Sequence, residues 1–333
     1  MGMRMLLKNK RILITGAGGF IGSHLTETLV AMGADVTAFL HYNSQGNWGW
    51  LDPYKNDSST QFNVILGDIT DFGSVFKALN EKDIVFHLAA LIGIPYSYAA
   101  PNSYIQTNVL GSHNVFQASL EKNIEKVIHT STSEVYGTAQ YTPIDEKHPL
   151  QGQSPYSATK IGADKLAEAY YCSFDLNVTT VRPFNTYGPR QSCRAVIPTI
   201  ITQALTSNKI LLGSTAPIRD FTYVSDTVQG FIKAAESEKS AGQVVNVGTG
   251  HSITIGDIAK HIMHIANPQA KVMIDDTRYR PEKSEVLELL CDNSKSEELI
   301  SWTPTVSLAQ GLEKTIHWFK ENAELFKPST YSI

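Results

Sequence analysis

The sequence predicts an α/β protein: an open, doubly wound parallel sheet with helices on both faces, followed by a smaller C-terminal lobe. Three observations predict it. Short apolar strand-like runs alternate with helical segments through the first 182 residues, a pattern that suits a parallel sheet covered on both sides. The first of these runs ends in a glycine-rich turn that opens a helix. Beyond Arg182 the prolines at Pro183, Pro189, Pro198 and Pro217 punctuate shorter elements, and the clear alternation fades.

Taken in order, Arg11–Thr15 (RILIT) reads as a buried strand. A glycine turn then leads into a helix from about Gly22 to Met32, capped by Gly33. Asp35–Leu40, Phe62–Leu66 and Ile84–Leu88 are three further strands, and Val127–Thr130 and Val178–Arg182 continue the series. Right-handed crossovers between them give a doubly wound sheet. The connection His41–Ser59 is polar, contains glycine and is long for a loop, which sets it beside a ligand. Val244–Gly248 (VVNVG) is a strand that returns to the sheet, and helices follow near Ile255–Ile265 and from Leu308 to about Asn322. The expected division is one unit over 1–182, with a later return near 220–250, and a partly interleaved lobe over 183–333.

Composition narrows the function. A net charge of −4 leaves no basic footprint, so nucleic acid is not an expected partner. Cys172, Cys193 and Cys291 are odd in number, widely separated and without metal-ligand spacing. They read as reduced thiols, and no metal is expected. The N-terminal MGMRMLLKNK holds an apolar run too short for a signal peptide, and no stretch approaches a membrane span. The expectation is a soluble cytoplasmic protein with no membrane partner.

The glycine turn Gly16-Ala17-Gly18-Gly19-Phe20-Ile21-Gly22 stands where a strand ends and a helix begins. Glycines there let the backbone approach a pyrophosphate, while the helix N-terminus offers free N–H groups and a favourable dipole. The spacing Gly16, Gly19, Gly22 departs from the commonest fingerprint, but its position points to dinucleotide binding, with Phe20 and Ile21 in the same turn. The acidic residue expected at the end of the second strand is missing: Leu40, His41, Tyr42 and Asn43 stand there. Such an acid binds the 2′-hydroxyl of NAD and repels the 2′-phosphate of NADP, so both cofactors stay open and His41 is a candidate contact. Asp68, followed by Ile69, is placed to accept from an adenine amino group or to cap the next helix, and both roles are compatible. Leu88, Ala89 and Ala90 end the fourth strand with room for a flat cofactor, whereas His87 reads as structural. Asn108, in a helical segment, either orients the active-site helix or is an exposed helical Asn.

Thr132, Ser133 and Glu134 follow a strand at the carboxyl edge, where open α/β sheets bind ligands. Tyr156 and Lys160 lie at i and i+4 on one helix face. A phenol of ordinary pKa about 10 is a poor base at neutral pH, and a nearby ammonium stabilises the phenolate and lowers that value. Tyr-x-x-x-Lys alone is common; the glycine turn and the Thr-Ser-Glu run give it weight. Together they suit removal of a proton from a sugar hydroxyl while a nicotinamide takes the hydride. Thr132 belongs to the hydrogen-bond chain, and Glu134 is a candidate base.

With TGAGGFIG, GDITD, HLAA, STSEVYG, YSATK, RPFNTYGPRQ, RDFTYVSD and RPEKSEV in that order, the chain resembles the extended short-chain dehydrogenase/reductases of the NAD-dependent epimerase/dehydratase family, which act on nucleotide sugars. The resemblance covers nearly the whole chain. It implies a Rossmann-type first unit, a substrate-binding second lobe, and a tightly bound, recycled NAD or NADP. Thr132, Tyr156 and Lys160 match the family's Ser/Thr-Tyr-Lys set, and Asp68 its adenine contact. Asn185 matches the residue that holds the sugar diphosphate, while Arg219 and Arg280 match arginines that grip nucleotide and phosphates, as guanidinium forks suit. Arg190 and Val196 join this substrate set. Fold-level analogy adds a homodimer paired through the apolar face around Val109–Leu120.

Three longer runs, HLAALIGIPYSYAAPNSY, HTSTSEVYGTAQYTPIDEKHPLQGQSPYSATK and RPFNTYGPRQSCRAVIPTII, are similar to the 4,6-dehydratases of legionaminic-acid-type sugar pathways. Those enzymes are implied to act on a nucleotide-linked N-acetylglucosamine. One departure is chemical: Ser133 stands where 4,6-dehydratases usually carry Asp, the expected acid for the leaving C6 hydroxyl. The resemblance therefore implies a 4,6-dehydratase first, a UDP-glucuronate decarboxylase second, with Arg190 and Arg194 as cations for its carboxylate, and a 4-epimerase third. A non-catalytic sensor on the same fold has no need to keep Thr132, Tyr156 and Lys160 together.

Overall fold

The structure, a computed structural model, describes residues 7–57 and 60–326. Residues 1–6 of the N-terminal run, Ser58 and Ser59 at the end of the long loop, and 327–333 of the expected C-terminal lobe lie outside the described residues. Six strands come first: β1 (Arg11–Thr15), β2 (Asp35–His41), β3 (Phe62–Gly67), β4 (Ile84–His87), β5 (Lys126–Thr130) and β6 (Val178–Pro183). Six follow: β7 (Asn185–Tyr187), β8 (Lys209–Leu212), β9 (Ile218–Tyr223), β10 (Val244–Val247), β11 (Ser252–Thr254) and β12 (Lys271–Ile274).

Seven strands form one sheet in the order β10-β6-β5-β4-β1-β2-β3, parallel at every pairing. Alternate side chains feed two cores, as a sheet covered on both faces requires. Ile12, Ile14, Phe86, Ile128 and Val181 pack with Leu25, Leu29 and Phe231 on one face. Leu13, Val85, Val127 and Val178 pack with Val75, Val115, Phe116 and Ala167 on the other. The strand order reverses between β1 and β4, so a crevice opens at their carboxyl ends.

Beyond Arg182 the alternation does not fade; the strands leave the main sheet. β7, β9 and β11 build a three-stranded sheet, and β8 pairs with β12. β10, within the VVNVG run, returns beside β6, with Val245 opposite Val181. The first helix starts at Phe20, two residues before the expected Gly22, because Gly19 is already its N-cap.

The apolar face expected around Val109–Leu120 is largely inward. Val115, Phe116 and Ala118 are fully buried, since the helix Gly111–Glu121 covers the sheet. On this segment Leu110 stays outside, 40% exposed, and just before it Ile105 is 51% exposed. Among the described residues no helix is long and apolar enough to cross a membrane, and no three His, Cys, Asp or Glu side chains are grouped to hold a metal ion.

Candidate active site

The glycine turn lies in the β1/β4 crevice, and its glycines are required by space. Gly16 has φ +72°, and a Cβ there would lie 2.8 Å from Ala89 N. A Cβ on Gly22 would lie 2.2 Å from Gly16 O, so helix and turn are in backbone contact. No side chain caps the helix that starts at Phe20 and Ile21, which leaves its first N–H groups facing the crevice mouth. Leu88, Ala89 and Ala90 are half-buried along the opposite wall, where Ala89 N donates to Thr15 Oγ1 at 3.2 Å. A cradle that any Cβ would fill, beneath an uncapped helix, fits a pyrophosphate. The long loop borders it: Trp50 N donates to Gly18 O at 2.9 Å.

Where β2 and β3 end beside the cradle, His41 is exposed and Asp68 half-buried, with His41 Nδ1 3.9 Å from Asp68 Oδ2. Asp68 does not cap the next helix. Its Oδ1 accepts from Thr70 N at 2.8 Å, whereas Asp71 is the N-cap, accepting from Gly73 N and Ser74 N, because the turn Asp68–Asp71 delays the helix start. The Ile69 side chain is buried against the site of Gly111, so only its backbone remains for a ligand. His87 is structural: its Nδ1 meets Thr15 Oγ1 at 2.8 Å and its Nε2 meets Ser112 Oγ at 3.0 Å. Asn108 is fully buried in a π-helical turn, Ile105–Leu110. Its Oδ1 accepts from Leu91 N at 2.8 Å and its Nδ2 donates to Thr159 Oγ1 at 3.1 Å. It therefore ties the loop after β4 to the helix Pro155–Phe174.

That helix begins at a capping box between Ser154 and Ser157 with Pro155 at its first position, a strong local start signal. It carries Tyr156 and Lys160 inward, both buried. Thr132 N-caps the short 3₁₀ turn Ser133–Tyr136 and accepts from Glu134 N at 3.2 Å. The same Thr132 hydroxyl lies near the Tyr156 phenol and acts to lower its pKa. One expectation is corrected here. Burial dominates the Tyr156 phenol and pushes its pKa up; Thr132 lowers it, and Glu134 raises it further. Lys160 does not offset this, because its Nζ donates to Thr130 O at 2.6 Å, and burial lowers the ammonium itself to about 8. Sharing a helix face brought the two groups into one site without pairing them. Ser133 and Glu134 are both buried, and Glu134 lies within electrostatic reach of Tyr156 and Arg219.

Arg219 and Arg280 converge on one carboxylate: Glu285 Oε1 is 3.4 Å from Arg219 Nη2 and 3.5 Å from Arg280 Nη1. Burial lowers the Arg219 pKa, with Glu134 and Glu285 acting against it. Asn185 leaves its Oδ1 buried without a hydrogen-bond partner. Val196 opens the helix Val196–Thr206, whose N-cap Ala195 offers no side-chain cap. Arg190, assigned to the substrate, is held by the first helix in this structure. Its Nη2 pairs with Glu27 at 2.8 Å and its Nη1 donates to Ser23 Oγ at 3.1 Å, because its backbone, at φ +70°, turns it onto the first helix. A cleft of about 400 Å³ is lined by Ala90, Leu91, Ile92, Gly93, Tyr96, Tyr104 and Arg194. Tyr104 in its wall packs edge-on against Tyr156, with ring centroids 6.3 Å apart.

Residues 13–315 match the family of GDP-mannose 4,6 dehydratase. The chain belongs to that family. It is thereby one of the extended short-chain dehydrogenase/reductases, NAD-dependent enzymes of nucleotide-sugar dehydration and epimerisation. Its relatives in the family differ in chemistry. It is 35% identical to the UDP-N-acetyl-alpha-D-glucosaminuronate decarboxylase of Bacillus cytotoxicus, over 94% of this chain and 98% of that one. It is 31% identical to the UDP-glucose 4-epimerase of Mycolicibacterium smegmatis, over 94% and 100%. The crystal structure of the dTDP-glucose 4,6-dehydratase DesIV from Streptomyces venezuelae, with NAD bound, superposes with a TM-score of 0.86 at 30% identity, covering 96% of this chain and 99% of that one.

Against this family background, sequence reasoning missed four residues of the site. Glu285 lay inside the quoted RPEKSEV run, five residues after the assigned Arg280, and that closeness was the available signal. Asp164 was legible as the next acidic residue on the Tyr156–Lys160 helix face, at i+4 from Lys160. Arg182 and Tyr104 gave no local signal, because their partners are distant in sequence: Arg182 pairs with Asp164 and Tyr104 packs on Tyr156.

Proposed function

We propose that the chain is an NAD-dependent nucleotide-sugar 4,6-dehydratase that converts an NDP-N-acetylglucosamine to its 4-keto-6-deoxy product. The observation that carries this reading is the buried Glu134 carboxylate, placed on the same turn as Thr132 and in reach of Tyr156. A 4-epimerase moves a hydride off and onto C4 and has no use for a second base; elimination across C5 and C6 needs one. The N-acetylhexosamine follows the resemblance of the longer sequence runs.

Tyr156, beside Thr132, takes the proton of the C4 hydroxyl. NAD, when bound, supplies a hydride acceptor at C4 and a hydride donor at C6, so that it emerges unchanged, and its positive nicotinamide favours the phenolate. The 4-ketone acidifies C5, and Glu134 removes that proton. Glu134 then passes its proton to the C6 hydroxyl, which leaves as water, with the Ser133 hydroxyl on the same turn taking the place of the usual Asp. The C4 proton on Tyr156 is available to restore C5. General acid–base steps of this kind contribute about a hundred- to ten-thousand-fold each.

Gly16, Gly19, Phe20, Ile21, Gly22, Leu88, Ala89, Ala90 and Asn108 would hold or orient the cofactor, and the Asp68 carboxylate beside His41 favours NAD by opposing a 2′-phosphate. Asn185, Val196, Arg219 and Arg280 would take the nucleotide diphosphate, in a partly interleaved lobe that starts at residue 183 and leaves out the return to the first unit near 220–250. We further assign a soluble cytoplasmic homodimer, paired through Ile105 and Leu110, so Leu110→Glu should elute as a monomer in size-exclusion chromatography.

A decarboxylase is the second reading, favoured by the Bacillus relative and by Ser133, since loss of CO2 needs no acid at C6. Mass spectrometry of the protein with UDP-N-acetylglucosamine, GDP-N-acetylglucosamine and UDP-N-acetylglucosaminuronate separates them. Loss of water from a hexosamine without added cofactor supports the dehydratase; loss of CO2 from the uronate overturns it.

A further inference from the structure

Asp164 lies one helical turn beyond Lys160 and is buried. Its carboxylate accepts from Ser131 Oγ at 2.8 Å, from Arg182 Nε at 3.1 Å and Nη2 at 2.9 Å, and from His129 Nε2 at 3.2 Å. The donors come from β5, from the residue that follows it and from β6, the two strands whose ends form the floor of the site. Arg182 in turn hydrogen-bonds Tyr136, on the turn that carries Glu134.

Asp164 is the carboxylate within electrostatic reach of Lys160. Along the helix Tyr156 and Asp164 lie one turn to either side of Lys160. His87 from β4 and His129 from β5 are also within its reach, and burial lowers the pKa of both. Arg182 from β6 is a cation paired with Asp164. An ionised Asp164 can only accept, so His129 must carry its proton on Nε2, which agrees with its Nδ1 being buried without a partner. A buried ammonium with one carbonyl acceptor is costly to keep charged unless a carboxylate lies near.

We propose that Asp164 is the positioning residue and counter-charge of Lys160, holding the ammonium charged and fixing the active-site helix against the ends of β5 and β6. The inference rests on the reading of Lys160 with Tyr156 as the proton-transfer pair. Burial pushes Lys160 down and Asp164 opposes that shift.

The test is a direct NMR titration of full-length protein labelled at lysine Cε, with the Lys160 resonance identified by its loss in Lys160→Met. Asp164→Asn should lower the Lys160 midpoint by about one unit or more. Because Asn leaves Arg182 buried and unpaired, the double variant Asp164→Asn/Arg182→Met is titrated as well. A midpoint that stays low in the double variant supports direct action on Lys160. A midpoint unmoved in the single variant, or restored in the double one, overturns the inference. Turnover of the two hexosamine substrates by Lys160→Met is read separately: retained turnover removes the proton-transfer reading itself, whatever Asp164 does.

Discussion

Gly22→Ala tests the cofactor cradle by setting two known effects against each other. In a helix interior, Ala is favoured over Gly by about 1 kcal/mol. The added Cβ, however, would lie 2.2 Å from Gly16 O and 2.9 Å from Gly16 C and Ala17 Cα. These are backbone atoms, and none of them can rotate away. Overpacking of this kind costs about 1–3 kcal/mol, and a contact roughly 1 Å inside van der Waals distance belongs at the upper end. The net loss is therefore about 1–2 kcal/mol, a fall of a few degrees in Tm. The cofactor should suffer more. Gly16 cannot retreat, since it is pressed against Ala89 N on its other side, so the turn must move into the crevice. A loss of only about 1.4 kcal/mol there is tenfold in affinity. The assay is the NAD released from purified protein on denaturation, with thermal melts with and without added NAD. Full NAD content with a raised Tm would refute the reasoning, because helix propensity would then have won and the turn would not be held against the helix.

Tyr156→Phe should lower turnover about a hundred- to ten-thousand-fold while NAD content and Tm stay near wild type; retained turnover would remove Tyr156 as the base. Arg219→Gln should raise KM for the nucleotide sugar roughly ten- to hundredfold, as loss of a charge-assisted hydrogen bond of about 1.5–3 kcal/mol implies, with a smaller effect on kcat. For the pH dependence of stability, burial pushes Asp164 up, but its hydrogen bonds and Arg182 outweigh this and hold it at about 2, against an ordinary 3.8. Its contribution is therefore present above pH 3.8 and lost as pH falls through about 2, and Asp164→Asn should flatten that acid limb in melts. Lys160 also makes stability rise with pH, but in an alkaline window: its buried charge costs stability below about 8, and that cost fades as pH rises toward 10.5.

How much of this was legible in the chain depended on the range of the interaction. Strands β1 to β6 were readable because a strand buried on both faces must be apolar along its length. The glycine turn was readable for a similar reason, since a residue without Cβ is a local necessity at Gly16 and Gly22. Tyr156 and Lys160 were found through helix periodicity, which gives a shared face but not where a long side chain ends; hence the ammonium on Thr130 O rather than on the phenol. The pairing of Arg190 with Glu27 was not legible, because Glu27 is far away in sequence and on another element. That the Val109–Leu120 face turns mostly onto the sheet was not legible, because an apolar stripe looks alike whether it covers a sheet or meets a second subunit. Asn185, with an unpartnered Oδ1, reaches the strand that carries Arg219 only through the pairing of β7 with β9, which no local pattern shows.

On the proposed reading, dehydration, decarboxylation and epimerisation would all begin with a C4 hydroxyl at Tyr156, so this residue cannot choose among them. The choice belongs to the charge beside C5 and C6. On that side Arg219 and Arg280 face Glu285 with Glu134 close to Arg219, two cations against two carboxylates. A nucleotide diphosphate draws on both arginines and tips this balance negative. A uronate would then add a further anion next to Glu134, in a setting where burial already weakens the charge on Arg219. A neutral C6 hydroxyl adds none, and it turns Glu134 from an obstacle into the group that moves the C5 proton. For a uronate to be accepted, a cation from outside this cluster must reach C6, and Arg190 is already held by Glu27 and Ser23. Arg194, in the wall of the cleft beside Tyr104, is the arginine left for that task. The choice of reaction therefore reduces to one comparison: whether the field at C6 is set by Glu134, buried on the catalytic turn, or by Arg194, exposed at the mouth. A buried charge is screened less than an exposed one, and this favours Glu134 and the hydroxyl.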